Sequence, residues 1–349
     1  MNSAPCPPRL ALTRFSMRPP AHRIDQRRAL EWLAEAHTES QSTVEAWSPH
    51  DRSLFAARIR KVIERCACGP TKIGSRGTVL PDFGMAEWSE MPVYDVTRHP
   101  RGQGMGVRSR LFEELVGACV DAEYAHEQVP PADLVHVTCT GYVSPSCAQR
   151  VVQQKGWGAF TRVTHAYHMG CYAAFPATRI AMGYLSAHET PPPGTERRVD
   201  ILHTEVCTLH LDPSNHSIEQ IIVQSLFADG FIRYQLRESE REPGLQVLAL
   251  AEQILPDSAD SMSWAVSDWG MQMTLSWSVP DRIGAAVRGF VASLYRKAGI
   301  APSQRVRPIY AIHPGGPKII DRVREILELS DEQVQTSRDV LFDHGNMSS

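Results

Sequence analysis

Three short segments of the chain each place a reactive or hydrogen-bonding side chain beside glycine. They are Met169-Gly-Cys171, Ile312-His-Pro-Gly-Gly-Pro317 and His344-Gly-Asn-Met-Ser-Ser349. A cysteine thiolate can attack an acyl group, and imidazole and carboxamide N–H groups can stabilise the negative charge that develops on oxygen. Catalytic groups also concentrate on loop ends that strands position. The pattern predicts Cys171, His313 and Asn346 as the catalytic residues of an acyl transfer.

A small-residue, apolar stretch with helical spacing follows the cysteine. Ala177, Ala181 and Leu185 recur on one face, so we expect a buried helix with Cys171 at its N-terminal tip. The positive end of the helix and a nearby His313 would both lower the pKa of the thiol and favour the thiolate. The alternative is an inert cysteine, since free cysteines are among the most buried residues.

The elements that must position these segments alternate along the chain. Short β-rich runs over 134–141 and 199–206 predict buried strands. A third run over 306–317 predicts a strand that ends in the loop carrying His313. Helical patterns lie between and after them, and this alternation favours a layered α/β fold. Two halves that each offer strand, helix and strand indicate an internal duplication.

Size and composition indicate a globular protein with a sizeable core. The chain has 349 residues, of which 42% are hydrophobic and 21% charged. Its formal net charge of -3 gives no indication of nucleic acid or an anionic membrane as a partner. No apolar run approaches the roughly 20 residues that span a bilayer, and we see no secretory signal. We therefore expect a cytoplasmic protein.

The 8 cysteines are scattered along a chain far longer than disulfide-dense secreted domains, which indicates reduced thiols. A zinc site is the alternative, because Cys66-x-Cys68 and His168-x-x-Cys171 are each half of a ligand motif. No second pair stands at ligand spacing, so we predict no metal site.

Cysteine, histidine and asparagine in this chain order also describe the papain-like proteases. Those enzymes carry the cysteine near the mature N-terminus in a Cys-Gly-Ser-Cys-Trp type run. Here Cys171 lies mid-chain after Met169-Gly170, so the protease is the less favoured interpretation.

The chain resembles the type III polyketide synthases, the chalcone synthase-like group of the thiolase-fold superfamily. The most specific pieces are Ala311-Ile-His-Pro-Gly-Gly-Pro-Lys-Ile-Ile320 and Gly345-Asn-Met-Ser-Ser349, with Gly170-Cys171 ahead of them. The shorter runs 137–141, 203–205 and 224–230 support them, and the resemblance extends from about residue 9 to residue 349. The ketoacyl synthase III enzymes share the Cys, His and Asn plan but not the His-Pro-Gly-Gly-Pro sequence.

This resemblance implies a homodimeric enzyme with an αβαβα layered, thiolase-like fold built from two duplicated halves. Residues 1–220 would form the half that carries Cys171, and residues 221–349 the half that carries His313 and Asn346. The family continues past the Asn-Met-Ser-Ser segment with a helix and closing strands, whereas this chain stops at Ser349. We therefore expect the C-terminal half to be truncated.

The resemblance also implies the reaction. Cys171 would take the acyl group of a starter acyl-CoA as a thioester. Malonyl-CoA would be decarboxylated while His313 and Asn346 hold the enolate oxygen, and the carbanion equivalent would attack the thioester in a Claisen condensation. The CoA thioesters are substrates, and no metal or organic cofactor is implied.

Further positions of the family's substrate site carry over by the same resemblance. Leu211 and Met273 stand where the plant enzymes place two large gatekeeper aromatics, and Trp264 falls at or near a glycine that leaves room for the growing chain. The other predicted substrate contacts are Thr140, Glu205, Gly315, Gly316 and Ser348. Cys139, Cys207, Leu209 and His210 also fall at cavity-lining positions. For Leu211 and Met273 ordinary core packing is the alternative.

The basic residues that grip the CoA phosphates are only partly present. The helix predicted over 51–66 carries Arg58, Arg60, Lys61 and Arg65, with Lys72 and Arg76 beyond it. Two expected basic positions are instead Glu64 and Cys68. A cluster of this kind is more often a solvated helix face, and Lys61 is our candidate within it.

Two other functions remain open at this point. A ketoacyl synthase III-like enzyme would perform a single condensation or simple acyl transfer, with Trp264 limiting the cavity. A degenerate homologue would bind an acyl-CoA without turnover.

Overall fold

The computed structural model describes residues 9–187, 190–238, 243–305 and 308–349. Its strands are β1 (Leu10–Arg18), β2 (His22–Asp25), β3 (Ser75–Thr78), β4 (Pro131–Thr138), β5 (Arg162–Tyr167), β6 (Glu196–Val206), β7 (Asp229–Glu238), β8 (Leu245–Gln246), β9 (Met262–Val266) and β10 (Met271–Leu275). Six of them form a mixed sheet in the order β5-β4-β6-β7-β1-β8. β4 is parallel to β5 and β6, whereas β7 is antiparallel to β6 and β1. β2 pairs with β3, and β9 with β10.

The described α-helices surround this sheet and continue beyond it. They are α1 (Gln26–Val44), α2 (Pro49–Cys66), α3 (Met105–Tyr124), α4 (Cys147–Gln154), α5 (Ala174–Ser186), α6 (Ile218–Leu226), α7 (Val279–Lys297), α8 (Pro317–Leu327) and α9 (Asp331–His344). Serine side chains cap α2, α4 and α9 in capping boxes, which satisfy backbone donors that the helix itself leaves free. None of the described helices is long and apolar enough to cross a membrane.

The six-stranded sheet is covered on both faces. Every residue of β4 is buried, as expected for a parallel strand inside a layered fold. On one face Leu134 and Leu202 belong to a cluster with Trp32 of α1. On the other face Val135 packs in a cluster with Ala177 of α5. The alternation of side chains along each strand therefore builds a helix–sheet–helix sandwich.

Two of the three predicted strands are present, at β4 and β6. The third, predicted over 306–317, is wrong for residues 308–316, which form no strand; residues 306 and 307 lie outside the described part. The backbone N–H of Tyr310 donates to the carbonyl of Gln333 at 2.9 Å, and that of Ile312 donates to Ser337 Oγ at 2.8 Å. α9 thus satisfies donors that a neighbouring strand would otherwise satisfy.

The division into halves at residue 220 stays a prediction. β7 lies after that position and pairs with β6 and β1 in the six-stranded sheet. The hairpin β9–β10 and the helices α7, α8 and α9 follow it. A cluster built around Met273, Ile320 and Leu341 joins β10, α8 and α9.

Candidate active site

Cys171 lies in a turn after β5, three residues before α5 begins at Ala174. Burial raises the pKa of its thiol to about 11, and the Glu205 carboxylate adds to the rise; a hydrogen bond from the Ser348 side chain acts in the opposite direction. The expectation of a lowered pKa is therefore wrong for this state of the protein. A desolvated thiol beside a carboxylate disfavours the thiolate, and the helix N-terminus lies one turn away.

Glu205 is fully buried, and its carboxylate accepts several hydrogen bonds close enough to Cys171 to affect the thiol. Its carboxylate accepts from the backbone N–H of Cys139 at 3.0 Å and from the hydroxyl of Thr140 at 2.9 Å. It also accepts from the hydroxyl of Ser349 at 2.6 Å. Burial raises the pKa of Glu205 to about 7, although these hydrogen bonds lower it. Glu205 therefore satisfies a backbone donor and also sets the charge next to Cys171.

Backbone hydrogen bonds connect Asn346 to the residues at the end of α6. Its backbone N–H donates to Leu226 at 2.9 Å, and its carbonyl accepts from Ala228 at 2.8 Å. Its side-chain Oδ1 accepts from the backbone N–H of Ser348 at 3.0 Å, and Nδ2 donates to the carbonyl of Gly315 at 3.4 Å. The carboxamide thus links the segment beside the thiol to the glycine loop.

The side chain of His313 is half-buried, and its Nε2 atom is shielded from solvent without a hydrogen-bond partner among the described residues. Burial lowers the pKa of His313 to about 4, so the ring is neutral at neutral pH. A Cβ on Gly315 would lie 3.4 Å from Nε2 and 3.2 Å from the neighbouring ring carbon, so a side chain there would require the ring to shift by a few tenths of an ångström. Gly316 is the residue before the first turn of α8.

The structure brings the three predicted catalytic residues into one contact chain. Ser348 contacts Cys171, Asn346 holds Ser348 and Gly315, and the imidazole of His313 lies against Gly315. A hydrogen bond between His313 and Cys171 is absent from the described part of the chain. Nε2 of His313 has no partner among the described residues, and Nδ2 of Asn346 makes one long hydrogen bond of 3.4 Å. Both nitrogens can therefore bond to a ligand.

Trp264 covers the site from the β9–β10 hairpin. Its indole N–H donates to the carbonyl of Cys139 at 2.7 Å, and its ring lies edge-on to that of His210 with 5.7 Å between centroids. Met273 stands opposite Trp264 in the hairpin and is buried in a cluster with Cys207. These contacts place both side chains next to the segments that carry Cys139 and Glu205.

Leu211 does not belong to the hydrophobic cluster that contains Met273. It packs in the cluster that contains Trp32 and Leu209, and its backbone N–H donates to the hydroxyl of Tyr94 at 3.0 Å. The two predicted gatekeeper positions, Leu211 and Met273, therefore belong to separate clusters. Their role as a common cavity wall stays a prediction.

The basic residues predicted to bind the CoA phosphates also lie in different surroundings. Lys61 is exposed on α2. Arg76 is buried, and its guanidinium donates to the carbonyls of Gln224 and Phe227 at 2.8 Å each, so its role is structural. Cys68 is also buried, with its backbone N–H bonded to Ser225 Oγ at 2.9 Å.

Sequence reasoning missed Ser349, which donates to Glu205 and pairs with His203 Nδ1 at 3.0 Å. The sequence pattern indicated His168 only as half of a zinc-ligand motif; in the structure its Nε2 lies 2.7 Å from the carbonyl oxygen of Trp264. The doubled serine after Asn-Met was the available signal for Ser349. No group of three or more metal-ligating side chains with suitable placement occurs within residues 9–187, 190–238, 243–305 and 308–349.

Residues 246–349 match the family described as chalcone and stilbene synthases, C-terminal domain. The chain is 24% identical over 265 residues to the 1,3,6,8-tetrahydroxynaphthalene synthase of Streptomyces griseus, covering 74% of this chain and 68% of that protein. It is 27% identical over 222 residues to the probable polyketide synthase 1 of Dictyostelium discoideum, covering 62% of this chain but spanning 7% of that much longer protein.

Among solved structures, the C-terminal type III polyketide synthase domain of Steely1, a type I/III hybrid from Dictyostelium, has a TM-score of 0.76 to this chain. The identity is 19%, over 97% of this chain and 88% of that one. The resemblance to the type III polyketide synthases is confirmed. The thiolase-like α/β fold class is confirmed with it, as is the enzyme class, an acyltransferase of the polyketide synthase type.

Proposed function

We propose that the chain loads an acyl group from acyl-CoA onto Cys171 and extends it with malonyl-CoA by decarboxylative Claisen condensation. The observation that carries this proposal is the pair of hydrogen-bonding groups around Gly315. The buried Nε2 of His313 has no partner in the described part of the chain, and Nδ2 of Asn346 has one long bond. Both groups can donate a hydrogen bond to an oxygen atom of the substrate.

Loading begins from a neutral thiol, because burial and Glu205 raise the pKa of Cys171 to about 11. The neutral imidazole of His313 accepts the thiol proton as the sulfur attacks the acyl carbon. The bond from that carbon to the CoA sulfur then breaks, and the departing sulfur takes the proton from His313. The products are the Cys171 thioester, free CoA and a neutral imidazole.

Extension begins when malonyl-CoA loses its carboxylate as carbon dioxide. The electron pair of the broken bond forms an enolate whose oxygen accepts hydrogen bonds from His313 Nε2–H and Asn346 Nδ2–H. The enolate carbon attacks the thioester carbon, and the Cys171 sulfur leaves as a thiolate, which takes a proton from water to restore the neutral thiol for the next loading step. Neither step calls for a metal or an organic cofactor, so prolonged dialysis against a chelator should leave the rate unchanged.

The direct test is incubation with a panel of acyl-CoAs plus malonyl-CoA, with the products identified by mass. Products that grow by successive two-carbon units, with release of carbon dioxide, support the proposal. Hydrolysis of the starter alone, or an unchanged starter in every reaction, would contradict it and favour a homologue that binds acyl-CoA without turnover.

Trp264 supports a second candidate, in which the enzyme performs a single condensation. Its indole lies between Cys139 and His210, and the Cys139 sulfur accepts a hydrogen bond from the backbone N–H of Gly170, the residue before Cys171. Trp264→Gly should then give longer products than the unchanged enzyme. Products that already carry several extensions in the unchanged enzyme would exclude this candidate.

We also propose a homodimer joined along β5. Within the described residues this strand pairs with β4 alone, so its other edge offers unpaired backbone groups. Tyr142, Tyr172 and Phe175 expose 41%, 47% and 52% of their surface near the end of the same strand. Light scattering coupled to size exclusion should give twice the chain mass, and Val163→Pro in β5 should weaken that association. A cytoplasmic location remains part of the proposal, to be checked by fractionation.

A further inference from the structure

His203 is a buried histidine of β6 that lies two residues before Glu205, on the same face of the strand. Its Nδ1 lies 3.0 Å from Oγ of Ser349. Its Nε2 lies 3.0 Å from the hydroxyl of Tyr234 on the neighbouring strand β7. Both ring nitrogens therefore have a hydrogen-bonding partner inside the protein.

The direction of each bond follows from the carboxylate at one end. Ser349 donates its only hydroxyl proton to Glu205 at 2.6 Å, so its Oγ can only accept from His203. Burial lowers the pKa of His203 to about 4, so the ring carries a single N–H at neutral pH. That proton must be on Nδ1, which leaves Nε2 to accept from the O–H of Tyr234. One chain of donors therefore runs from Tyr234 through His203 and Ser349 to Glu205.

Glu205 lies next to the residues that flank Cys171. Its carboxylate accepts from the backbone N–H of Cys139, and the sulfur of Cys139 accepts from the N–H of Gly170 at 3.2 Å. On the other side, Ser348 hydrogen-bonds to Cys171 and is followed by the serine that donates to Glu205. The chain of donors thus ends on the carboxylate that borders the thiol.

The charge of Glu205 depends on its donors. Burial raises the pKa of its carboxyl to about 7, and the bond from Ser349 opposes that rise more strongly than the bonds from Cys139 and Thr140. A carboxyl with a pKa near neutral pH changes its charge when one donor is gained or lost. The orientation of the Ser349 hydroxyl therefore decides whether a negative charge lies beside Cys171.

The other titratable groups that interact with Glu205 or His203 carry no charge at neutral pH. Burial raises the pKa of Cys139 and Tyr142 to about 12, and it raises the pKa of Cys207 well above its ordinary value. The pKa of Cys171 is raised to about 11. Burial lowers the pKa of His136, on β4, to about 3. Within this set, Glu205 is the group whose charge changes near neutral pH.

We propose that His203 is a positioning residue for the reaction proposed above: its Nδ1–H holds the Ser349 hydroxyl toward Glu205, and the ionised carboxylate keeps the Cys171 sulfur protonated between turnovers. The inference rests on the proposed function for the use of that sulfur. A protonated thiol resists alkylation and oxidation. A thiolate of high pKa is also the more nucleophilic once its proton is removed. Tyr234 contributes by fixing the tautomer of the ring.

NMR of the unmodified protein with ¹⁵N-labelled histidine rings tests the chain directly. The signals of His203 are assigned by their loss in His203→Asn. Near neutral pH the ring should be neutral and carry its proton on Nδ1. A proton on Nε2 instead would overturn the inference, because Nδ1 could then not donate to Ser349. This measurement applies even if other variants of His203 fail to fold.

Infrared titration of Glu205 tests the effect on its charge. The carbonyl band of its protonated carboxyl is identified by its absence in Glu205→Gln. His203→Leu removes the donor, so the midpoint of this band should rise by about one pH unit, the order expected for one hydrogen bond to a charged group. His203→Asn places an amide N–H near the position of Nδ1 and should restore most of the midpoint. Tyr234→Phe should cause a smaller rise, because it frees the tautomer.

His136→Leu is the matched control. It removes a buried, neutral histidine from the adjacent strand β4, where the ring bonds Thr204 and Tyr167 rather than the chain of donors. The Glu205 midpoint should not move in this variant. An equal rise in His136→Leu, or no rise in His203→Leu, would overturn the inference. So would a rise in His203→Asn as large as that in His203→Leu, since ring volume rather than the donor would then be responsible.

Alkylation of Cys171 by iodoacetamide at about pH 8 tests the last link. If the pKa of Cys171 falls by about one unit in His203→Leu, the thiolate becomes about tenfold more abundant and about threefold less nucleophilic. Alkylation should then be about threefold faster than in the unmodified protein. An unchanged or slower rate would contradict the effect on the sulfur.

These measurements need no substrate, so they separate this inference from the proposed function. If no acyl-CoA gives an acyl-enzyme but the tautomer, the Glu205 midpoint and the alkylation rate behave as expected, the proposed function fails and the control of the thiol by His203 stands. If the acyl-enzyme forms but the Glu205 midpoint does not move in His203→Leu, the proposed function stands and this inference fails.

Discussion

Cys171 and Glu205 lie at the ends of strands in the six-stranded sheet, whereas His313 and Asn346 lie on segments that this sheet does not contain. Three donors, from Cys139, Thr140 and Ser349, bond the buried carboxylate of Glu205. Around His313 the imidazole Nε2 has no partner in the described residues, and α9 holds its loop through isolated bonds. The polar groups near the thiol are therefore bonded within the protein, whereas the His313 segment keeps a side-chain nitrogen without a partner among the described residues.

Removal of the thiol should have the largest effect. Cys171→Ala should abolish the acyl-enzyme and lower turnover by more than about a thousandfold, as expected when a nucleophile is lost. Intact-mass spectrometry after incubation with acyl-CoA measures the adduct. Cys119→Ala on α3 is the matched control and should load normally. An adduct that persists in Cys171→Ala would place the nucleophile elsewhere.

Asn346→Ala should separate loading from extension. One oxyanion donor is typically worth about 10²–10³ in rate, so decarboxylation of malonyl-CoA should slow by about that factor. The acyl-enzyme should still form, because Asn346 does not bond the sulfur. Release of carbon dioxide and the acyl adduct are measured in parallel. Loss of both to the same extent would mean that the carboxamide acts by holding Ser348 beside the thiol.

Gly315→Ala should have an intermediate effect on the imidazole side. The added Cβ would lie 3.2 Å from the His313 ring, so the ring must shift by a few tenths of an ångström. Turnover should fall by about tenfold, since small misplacement of a catalytic group is costly. Gly117→Ala, where a Cβ meets nothing within 4 Å, is the control and should have full activity. Full activity in Gly315→Ala would show that the imidazole position is not critical.

Glu205→Gln should change the pH dependence more than the maximum rate. The carboxylate helps to raise the pKa of Cys171, and its own pKa is raised to about 7 by burial. A neutral amide removes the negative charge, so the thiol should ionise at lower pH. The rate of Cys171 alkylation by iodoacetamide, followed by mass against pH, should shift toward acid. An unchanged profile would show that Glu205 is already protonated where the thiol ionises, and a shift toward alkaline pH would contradict the repulsion between the two groups.

Local pattern was enough for the strands β4 and β6, for the helices α2 and α5 and for naming the candidate residues Cys171, His313 and Asn346. Each of these three residues lies within a few positions of glycine, so a short stretch of sequence is enough to identify it. The helix α6 and the hairpin β9–β10 were missed, since segments of 9, 5 and 5 residues are too short to show a clear period.

The sequence alone determined which thiol, imidazole and carboxamide can form a site, and which family the chain resembles. Tertiary structure decided the charge state and the surroundings of that site. Glu205 reaches Cys171 from another strand and raises its pKa, and α9 replaces a strand as the support for the His313 loop. Leu211 and Met273 similarly belong to different clusters. Burial and charge depend on residues far apart in the chain, so no local pattern can reveal them.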